Sequence, residues 1–397
     1  MHGLRAAEQR LCRLCGGGIR HYDGLSEQIV GVKISVASGI PHRSRLTWAE
    51  LPLEAEPSDV HRKNTSSTVP VPRPKRKPMT AALNRRGFLA ASAALGAGLA
   101  MAGRSSASPD KTILRKALQG DPDEKILAEW KAAGFDGFES LKWQASPRDA
   151  AAARKKAESL GMRIHSVQFG YGDFIGGAAA VAKTLAKMET ALRAAQSYGA
   201  DDVLFIPGRI DVETTPEPWE FEIRFNEKNG HLAQVVAGDN TKYRKYMEAH
   251  NRAVDASREG IKRLIPMAEK AGVIIMLENV WNNLWVEPVI FANFAASFDS
   301  PWIRVNFDIG NHVKYSRPQD WIRALGKLVL KCHAKDFKLS ADGHGGEFCN
   351  LREGSIDWPA VRAALDEIDF SGWVTIEGGD CSPGEHARRL DRILAGK

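Results

Sequence analysis

From residue 112 onward the chain alternates short apolar runs with longer amphipathic stretches. Eight runs read as strands: "TILRKAL" (112–118), "GFDGFES" (134–140), "MRIHSVQFG" (162–170), "DDVLFIPG" (201–208), "GVIIMLEN" (272–279), "WIRVNFDIG" (302–310), "LVLKCHAKD" (328–336) and "GWVTIEGG" (372–379). Between them lie helix-like stretches such as "DEKILAEWKAAG" (123–134), "AKTLAKMETALRAAQSYG" (182–199) and "REGIKRLIPMAEKAG" (258–272). Each of these ends on Gly, the usual helix stop. Eight β/α alternations predict a (β/α)₈ TIM barrel over residues 108–397 rather than an open doubly wound sheet. No Gly-x-Gly-x-x-Gly follows the first strand, which argues against dinucleotide binding.

One segment breaks the rhythm. "WEFEIRFNEKNGHLAQVVAGD" (219–239) alternates apolar and polar residues on either side of Asn229-Gly230, a strong hairpin signal. Following the fourth strand, it is expected to rise from the barrel mouth, either as a rim or lid or as an insertion with no part in the site.

Ahead of the barrel, "LNRRGFLAASAALGAGLAMAGRSSAS" (83–108) pairs Arg85 and Arg86 with a short Ala/Gly/Leu run and a small-residue end. It resembles a twin-arginine export signal, with a periplasmic, soluble mature protein as the expectation. A buried Ala-rich helix is the alternative. Residues 79–107 are assigned to this signal, and 1–78, ending in "VPVPRPKRKP" (69–78), to a non-native or disordered extension. Met79, directly before the signal, is the expected start.

Charge and cysteine narrow the picture. The formal charge of +7 is carried ahead of the barrel: 13 Lys and Arg against 7 acids in 1–78, and three Arg without an acid in 79–107, leave −2 for 108–397. A near-neutral body needs no nucleic acid as partner. Cys12 and Cys15 form a lone C-x-x-C, weak as a zinc signal, and Cys332, Cys349 and Cys381 provide no disulfide framework.

The late strands end in ligand-type residues: Glu278 on the fifth, Asp308 on the sixth, His333 on the seventh and Glu377 on the eighth. Barrel active sites lie at the strand C-termini, so the four are expected to converge across the mouth. Asn306, Lys335 and Thr375 share the side of Asp308, His333 and Glu377 respectively. Taken singly, each acid reads more simply as a cap or an ion-pair member. Together, three crowded carboxylates repel one another, and a divalent cation resolves the conflict. Three carboxylate oxygens and an imidazole suit Mn²⁺ first, then Mg²⁺ or Co²⁺, rather than a Cys-rich zinc site.

The pieces "AAGFDGFE", "IPMAEKAGVIIMLENVWNN", "FDIGNHVKY", "KCHAKDFK", "REGSIDWPAV" and "GWVTIEGGD", in this order, resemble the sugar phosphate isomerase/epimerase superfamily, the xylose isomerase-like TIM barrels, over about residues 111–397. Its members include ketose 3-epimerases, hydroxypyruvate isomerases and endonuclease-type apurinic-site enzymes. The resemblance implies a metal site at Glu278, Asp308, His333 and Glu377. It also implies an acid/base pair of Glu278 and Glu377 on opposite faces of a sugar. A proton leaves through an enediolate and returns on the other face in an epimerase, or at the next carbon in an aldose–ketose isomerase. The epimerases carry a His three residues after the sixth-strand Asp. Here Asn311 stands there, and His312 follows, either reaching the substrate or capping the next helix.

Further substrate candidates are Trp281, Asn282, Asn311, Lys335 and His165. Trp281 suits a polyol face or packs under the rim, and His165 faces the substrate or is a satisfied structural histidine. Arg209 after "FIPG" suits a phosphate, but no Gly-rich cradle is evident, which favours a small unphosphorylated ketose or keto-sugar as the partner. A homo-oligomer is left open. Rival readings are a metal-dependent lyase or hydrolase on an oxidised sugar, an endonuclease-type phosphodiesterase, and a non-catalytic sugar-binding barrel.

Overall fold

The computed structural model describes residues 112–379 and 381–397, so the extension 1–78 and the signal-like segment 79–107 lie outside the described residues. In chain order the elements begin with β1 (Leu114–Gln119), α1 (Glu124–Ala132), β2 (Gly137–Ser140), α2 (Pro147–Ser159), β3 (Arg163–Tyr171), α3 (Ala178–Tyr198) and β4 (Asp202–Ile206). Then come β5 (Phe221–Asn226), β6 (His231–Val236), α4 (Arg244–Ala271), β7 (Ile274–Glu278), α5 (Pro288–Ala296), β8 (Ile303–Asp308) and α6 (Pro318–Leu325). The chain closes with β9 (Val329–Ala334), β10 (Asp336–Leu339), β11 (Gly346–Cys349), α7 (Trp358–Glu367), β12 (Gly372–Ile376) and α8 (Pro383–Leu394).

Eight parallel strands close a barrel in the order β1-β12-β9-β8-β7-β4-β3-β2, which is the expected TIM barrel. Local chemistry sets the helix bounds. Asp123, Ser146, Asp357 and Ser382 cap α1, α2, α7 and α8, each accepting a hydrogen bond from a backbone N–H in the first turn. α3 and α4 end at Gly199 and Gly272, whose φ of 71° and 66° belongs to the left-handed region.

Strand alternation separates two environments. Ile275, Leu277, Val305, Phe307, Cys332, Val374 and Ile376 join the apolar layer under the helices. Burying a Leu or Phe there contributes about 1.5–3 kcal/mol each. The alternate positions turn to the barrel axis, and many are polar: Glu139, Asp202, Asn306, Lys331, His333 and Thr375 are all buried.

Three departures from the sequence expectation matter for the site. The seventh strand stops at Ala334, and β10 then turns out to pair antiparallel with β11, making a second mouth hairpin. Its turn runs through Asp342-Gly343, a hairpin signal in its own right. α4 begins at Arg244, well before the helix expected at 258, because Tyr246 and His250 on its first turns find a buried surface once β5–β6 is in place. In the β5–β6 hairpin, Leu232, Val235 and Val236 pack with Tyr243, Tyr246, Val286 and Ile290 in a satellite core.

α4 also tethers the loop after β7. Tyr246 Oη donates to the Asn283 carbonyl at 2.8 Å, and His250 Nε2 donates to the Leu284 carbonyl at 3.1 Å. Burial pushes the His250 imidazole down to about 4. In the unfolded chain the same ring takes up its proton near pH 6.5. The unfolded state therefore binds more protons between these values, and stability falls on acidification. We expect this contribution to be intact above pH 6.5 and lost by pH 4, up to about 3 kcal/mol. Urea unfolding of the wild type and of His250→Gln across pH 4–7 checks it: the variant should lose about one proton of pH dependence.

Candidate active site

Four side chains meet at the C-terminal mouth because neighbouring strands place them in register. β7 aligns Glu278 with Asn306, and β8 aligns Asp308 with His333, which β9 in turn aligns with Thr375. Glu377 follows β12 directly, its backbone N–H donating to the Ala334 carbonyl at 3.3 Å. One ligand-type atom from each of Glu278, Asp308, His333 and Glu377 lies within 4.8 Å of the others.

The contacts within this group are uneven. His333 Nδ1 lies 2.9 Å from both Glu278 Oε1 and Glu377 Oε2. Asn306 Nδ2 donates to Glu278 Oε1 at 2.9 Å. Lys335 Nζ reaches Glu377 Oε2 at 3.0 Å and Asp308 Oδ2 at 3.3 Å. Asp308 Oδ1 accepts from the backbone N–H groups of Gly310 and Asn311, both at 2.8 Å, whereas Oδ2 is buried without a hydrogen bond. Gly310 is required here: a Cβ would stand 2.7 Å from the Lys335 carbonyl oxygen.

Burial pushes the Glu278 carboxyl up and that of Asp308 to about 7, against the pull of Lys335 and His333. Burial also acts on Glu377, but hydrogen bonds and charge from His333 and Lys335 overcome it and hold that acid at about 2. Two buried carboxyl groups, one half-buried, and an imidazole, with Asp308 Oδ2 making no hydrogen bond, form a donor set that fits a hard divalent cation.

The mouth above them is a cleft of about 280 Å³, whose walls include Tyr171, Trp281, Asn311, Lys335 and Phe348 as well as Glu278 and Glu377. This volume lies just below the usual range of ligand pockets, about 300–1,000 Å³, and suits a molecule of monosaccharide size. Trp281 stacks on Phe348 from β11, with ring centroids 5.2 Å apart, and donates its indole N–H to the Asn311 carbonyl. Lys314 Nζ sits 3.6 Å from the Trp281 ring centroid.

Three expected substrate residues lie elsewhere. Asn282 is fully buried and donates to the Gly208 carbonyl at 3.2 Å, while Asn283 donates to that of Ile210 at 3.0 Å. The pair pins the loop that carries Arg209. His312 is buried against Trp321, with ring centroids 4.7 Å apart, and neither lines the cleft nor caps α6. His165 stacks flat on Trp373 at 4.3 Å inside the barrel and pairs with Thr375 Oγ1 at 3.1 Å. Gly208 and Thr375 thus use polar groups of Asn282 and His165 that the sequence offered to substrate, and His312 Nδ1 lies 3.2 Å from Asn279 Nδ2.

Two features escaped the sequence reading. Asn279 clamps the backbone of Asp308: its Oδ1 accepts from the Asp308 N–H and its Nδ2 donates to the Asp308 carbonyl, both at 2.8 Å. Beneath the mouth, Glu139 Oε1 lies 2.9 Å from His333 Nε2. Its other oxygen accepts from Lys331 Nζ, which also bonds Asp202 Oδ1 at 2.9 Å. A lysine two residues before His333 in an apolar strand was the available signal, since the two must share a side.

Fold and mouth define a (β/α)₈ barrel with a carboxylate-rich centre at its strand ends. The chain belongs to the xylose isomerase-like TIM barrel family, whose model matches residues 127–393. It is 26% identical over 130 residues to an uncharacterized protein of Methanocaldococcus jannaschii, a match spanning 31% of this chain and 43% of that relative's length. A D-tagatose 3-epimerase-like protein superposes with a TM-score of 0.53 at 19% identity, covering 71% of this chain and 97% of that one. A xylose isomerase-like TIM barrel protein from Mycobacterium smegmatis, in complex with magnesium, superposes with a TM-score of 0.50 at 19% identity, covering 71% and 96%. At these identities the two structures speak for the fold.

Asn279 links the fold to the site. Asn279→Ala should leave the Asp308 N–H and C=O buried without partners and lower stability by about 2–4 kcal/mol, measurable by urea unfolding at pH 7.

Proposed function

We propose that the chain is a divalent-metal-dependent sugar isomerase or epimerase acting on a free ketose or keto-sugar. The observation that carries this reading is the placement of Glu278 and Glu377. Both line the cleft, and both lie 2.9 Å from the same nitrogen, His333 Nδ1. Two carboxyl groups thus flank one point at the base of a sugar-sized cleft. A structural neighbour, the D-tagatose 3-epimerase-like protein, agrees with this chemistry.

Glu278, Asp308, His333 and Glu377 would hold the cation, with Mn²⁺ the first choice and Mg²⁺ or Co²⁺ as alternatives. When bound, it supplies positive charge that polarises a carbonyl and the C–H beside it. One glutamate removes the proton to give an enediolate and the other returns it. Trp281 and Phe348 offer aromatic faces to the sugar ring, and Lys335 stands where negative charge develops. Export through the segment 83–108 is part of this proposal and rests on that segment's sequence. Among the described residues no helix is long and apolar enough to cross a membrane.

Incubation with Mn²⁺ and a panel of ketoses in D₂O tests the reading. Deuterium should enter at C3 for epimerisation, or at C1 or C2 for aldose–ketose isomerisation. Glu278→Gln and Glu377→Gln should each slow the exchange about 10²–10⁴-fold. Exchange at the wild-type rate in both variants overturns the acid/base pair.

A further inference from the structure

The charges under the mouth form an arrangement that the reaction as proposed does not use. Glu139, on β2, is fully buried, and a register shift in its pairing with β3 sets it opposite Ser166. Each of its oxygens meets a different residue of β9: Oε1 faces His333 Nε2 at 2.9 Å and Oε2 faces Lys331 Nζ. Ser166 Oγ, 2.7 Å from Glu139 Oε2 and 2.6 Å from Asp202 Oδ1, accepts from Lys331 Nζ at 2.5 Å. Gln119 Nε2 adds a donor to Glu139 Oε1 at 3.2 Å.

We propose that Glu139 is a positioning residue: it fixes the His333 imidazole with its Nε2–H turned inward and its Nδ1 lone pair presented to the mouth. Lys331, Ser166 and Asp202 hold Glu139 in that pose. The inference rests on the reading of Glu278, Asp308, His333 and Glu377 as a cation site. A histidine offers a cation one nitrogen, and the hydrogen bond at the other decides which. Among the described residues Glu139 provides the carboxylate oxygen that meets His333 Nε2. A role as plain counter-ion to Lys331 does not account for the pose, because Asp202 already pairs with Lys331 and Glu139 gives its second oxygen to His333.

Glu139→Gln separates the two roles. Lys331 would take the amide oxygen and leave the NH₂ facing Nε2, which favours the tautomer with its proton on Nδ1, the wrong one for a cation. Titration of the full chain with MnCl₂ by calorimetry should show affinity about 10–100-fold weaker in Glu139→Gln. Glu139→Asp, which keeps the charge, should fall between it and the wild type. In the Mg²⁺-loaded wild type, ¹⁵N NMR of His333 should show a protonated Nε2, and Glu139→Gln should lose that signature. Wild-type Mn²⁺ affinity in Glu139→Gln, with affinity lost in Glu278→Gln, overturns the positioning role and leaves the cation site standing. A wild-type chain that binds neither ion overturns both. Should Glu139→Gln not fold, Glu139→Asp decides by the same comparison, wild-type affinity overturning the role.

Discussion

The Lys331 ammonium, buried at the centre of the barrel, is the interaction on which the rest of the site depends. Taking it out of water costs several kcal/mol unless carboxylates surround it. Glu139 and Asp202 do so from strands across the barrel, with Ser166 between them. Burial alone would push the Lys331 amine down, but these two acids drive it well above its ordinary value. A barrel filled by branched apolar side chains would be simpler to pack and easier to stabilise. The charged layer instead gives the next layer up, at His333, an ionised oxygen to lean on.

That second layer carries its own imbalance. Glu278, Asp308 and Glu377 face Lys335 and His333, and burial has already lifted two of the three acids. Three carboxyl groups crowded around one ammonium and one imidazole are the electrostatic counterpart of a cation site, and under the proposed function a divalent ion relieves the crowding. The backbone around Asp308 is built for this load. Asn279 holds its peptide from one side, and the N–H groups of Gly310 and Asn311 fix one carboxylate oxygen, so the other is aimed without freedom to turn. Preorganisation of this kind keeps charged groups from relaxing toward each other.

The sequence displayed the barrel clearly because eight apolar runs and their Gly-terminated helices need no long-range information. The four mouth residues were equally legible, since a polar residue closing a buried strand has few places to go. His165, Asn282 and His312 were not, because their neighbours Trp373, Gly208 and Asn279 come from other parts of the chain and only folding brings them near. The layer beneath was concealed for the opposite reason. Glu139, Ser166 and Asp202 lie on three different strands, and a shifted register between β2 and β3, which no periodicity reveals, sets Glu139 opposite Ser166. The second hairpin was hidden by the continuity of "LVLKCHAKDFKL": the apolar run goes on while the chain leaves the barrel at Lys335.

The two glutamates of the proposed acid/base pair have different neighbours. Both approach His333 Nδ1 at 2.9 Å, so the imidazole does not tell them apart. Glu278 receives a neutral amide, Asn306 Nδ2, whereas Glu377 receives the ammonium of Lys335. A neutral donor supports a carboxylate less than a cation does, and Glu278 is also the more deeply buried. Glu377 is therefore the carboxylate that stays ionised, and Glu278 the one that more readily carries a proton. Environments that push two acids apart are how one site supplies both a base and an acid at the same pH. In the proposed reaction the two acids form the proton-transferring pair, and the ammonium of Lys335 is what distinguishes Glu377 from Glu278. Lys335 makes that difference, and the absent side chain of Gly310 leaves room for the Lys335 backbone beside it.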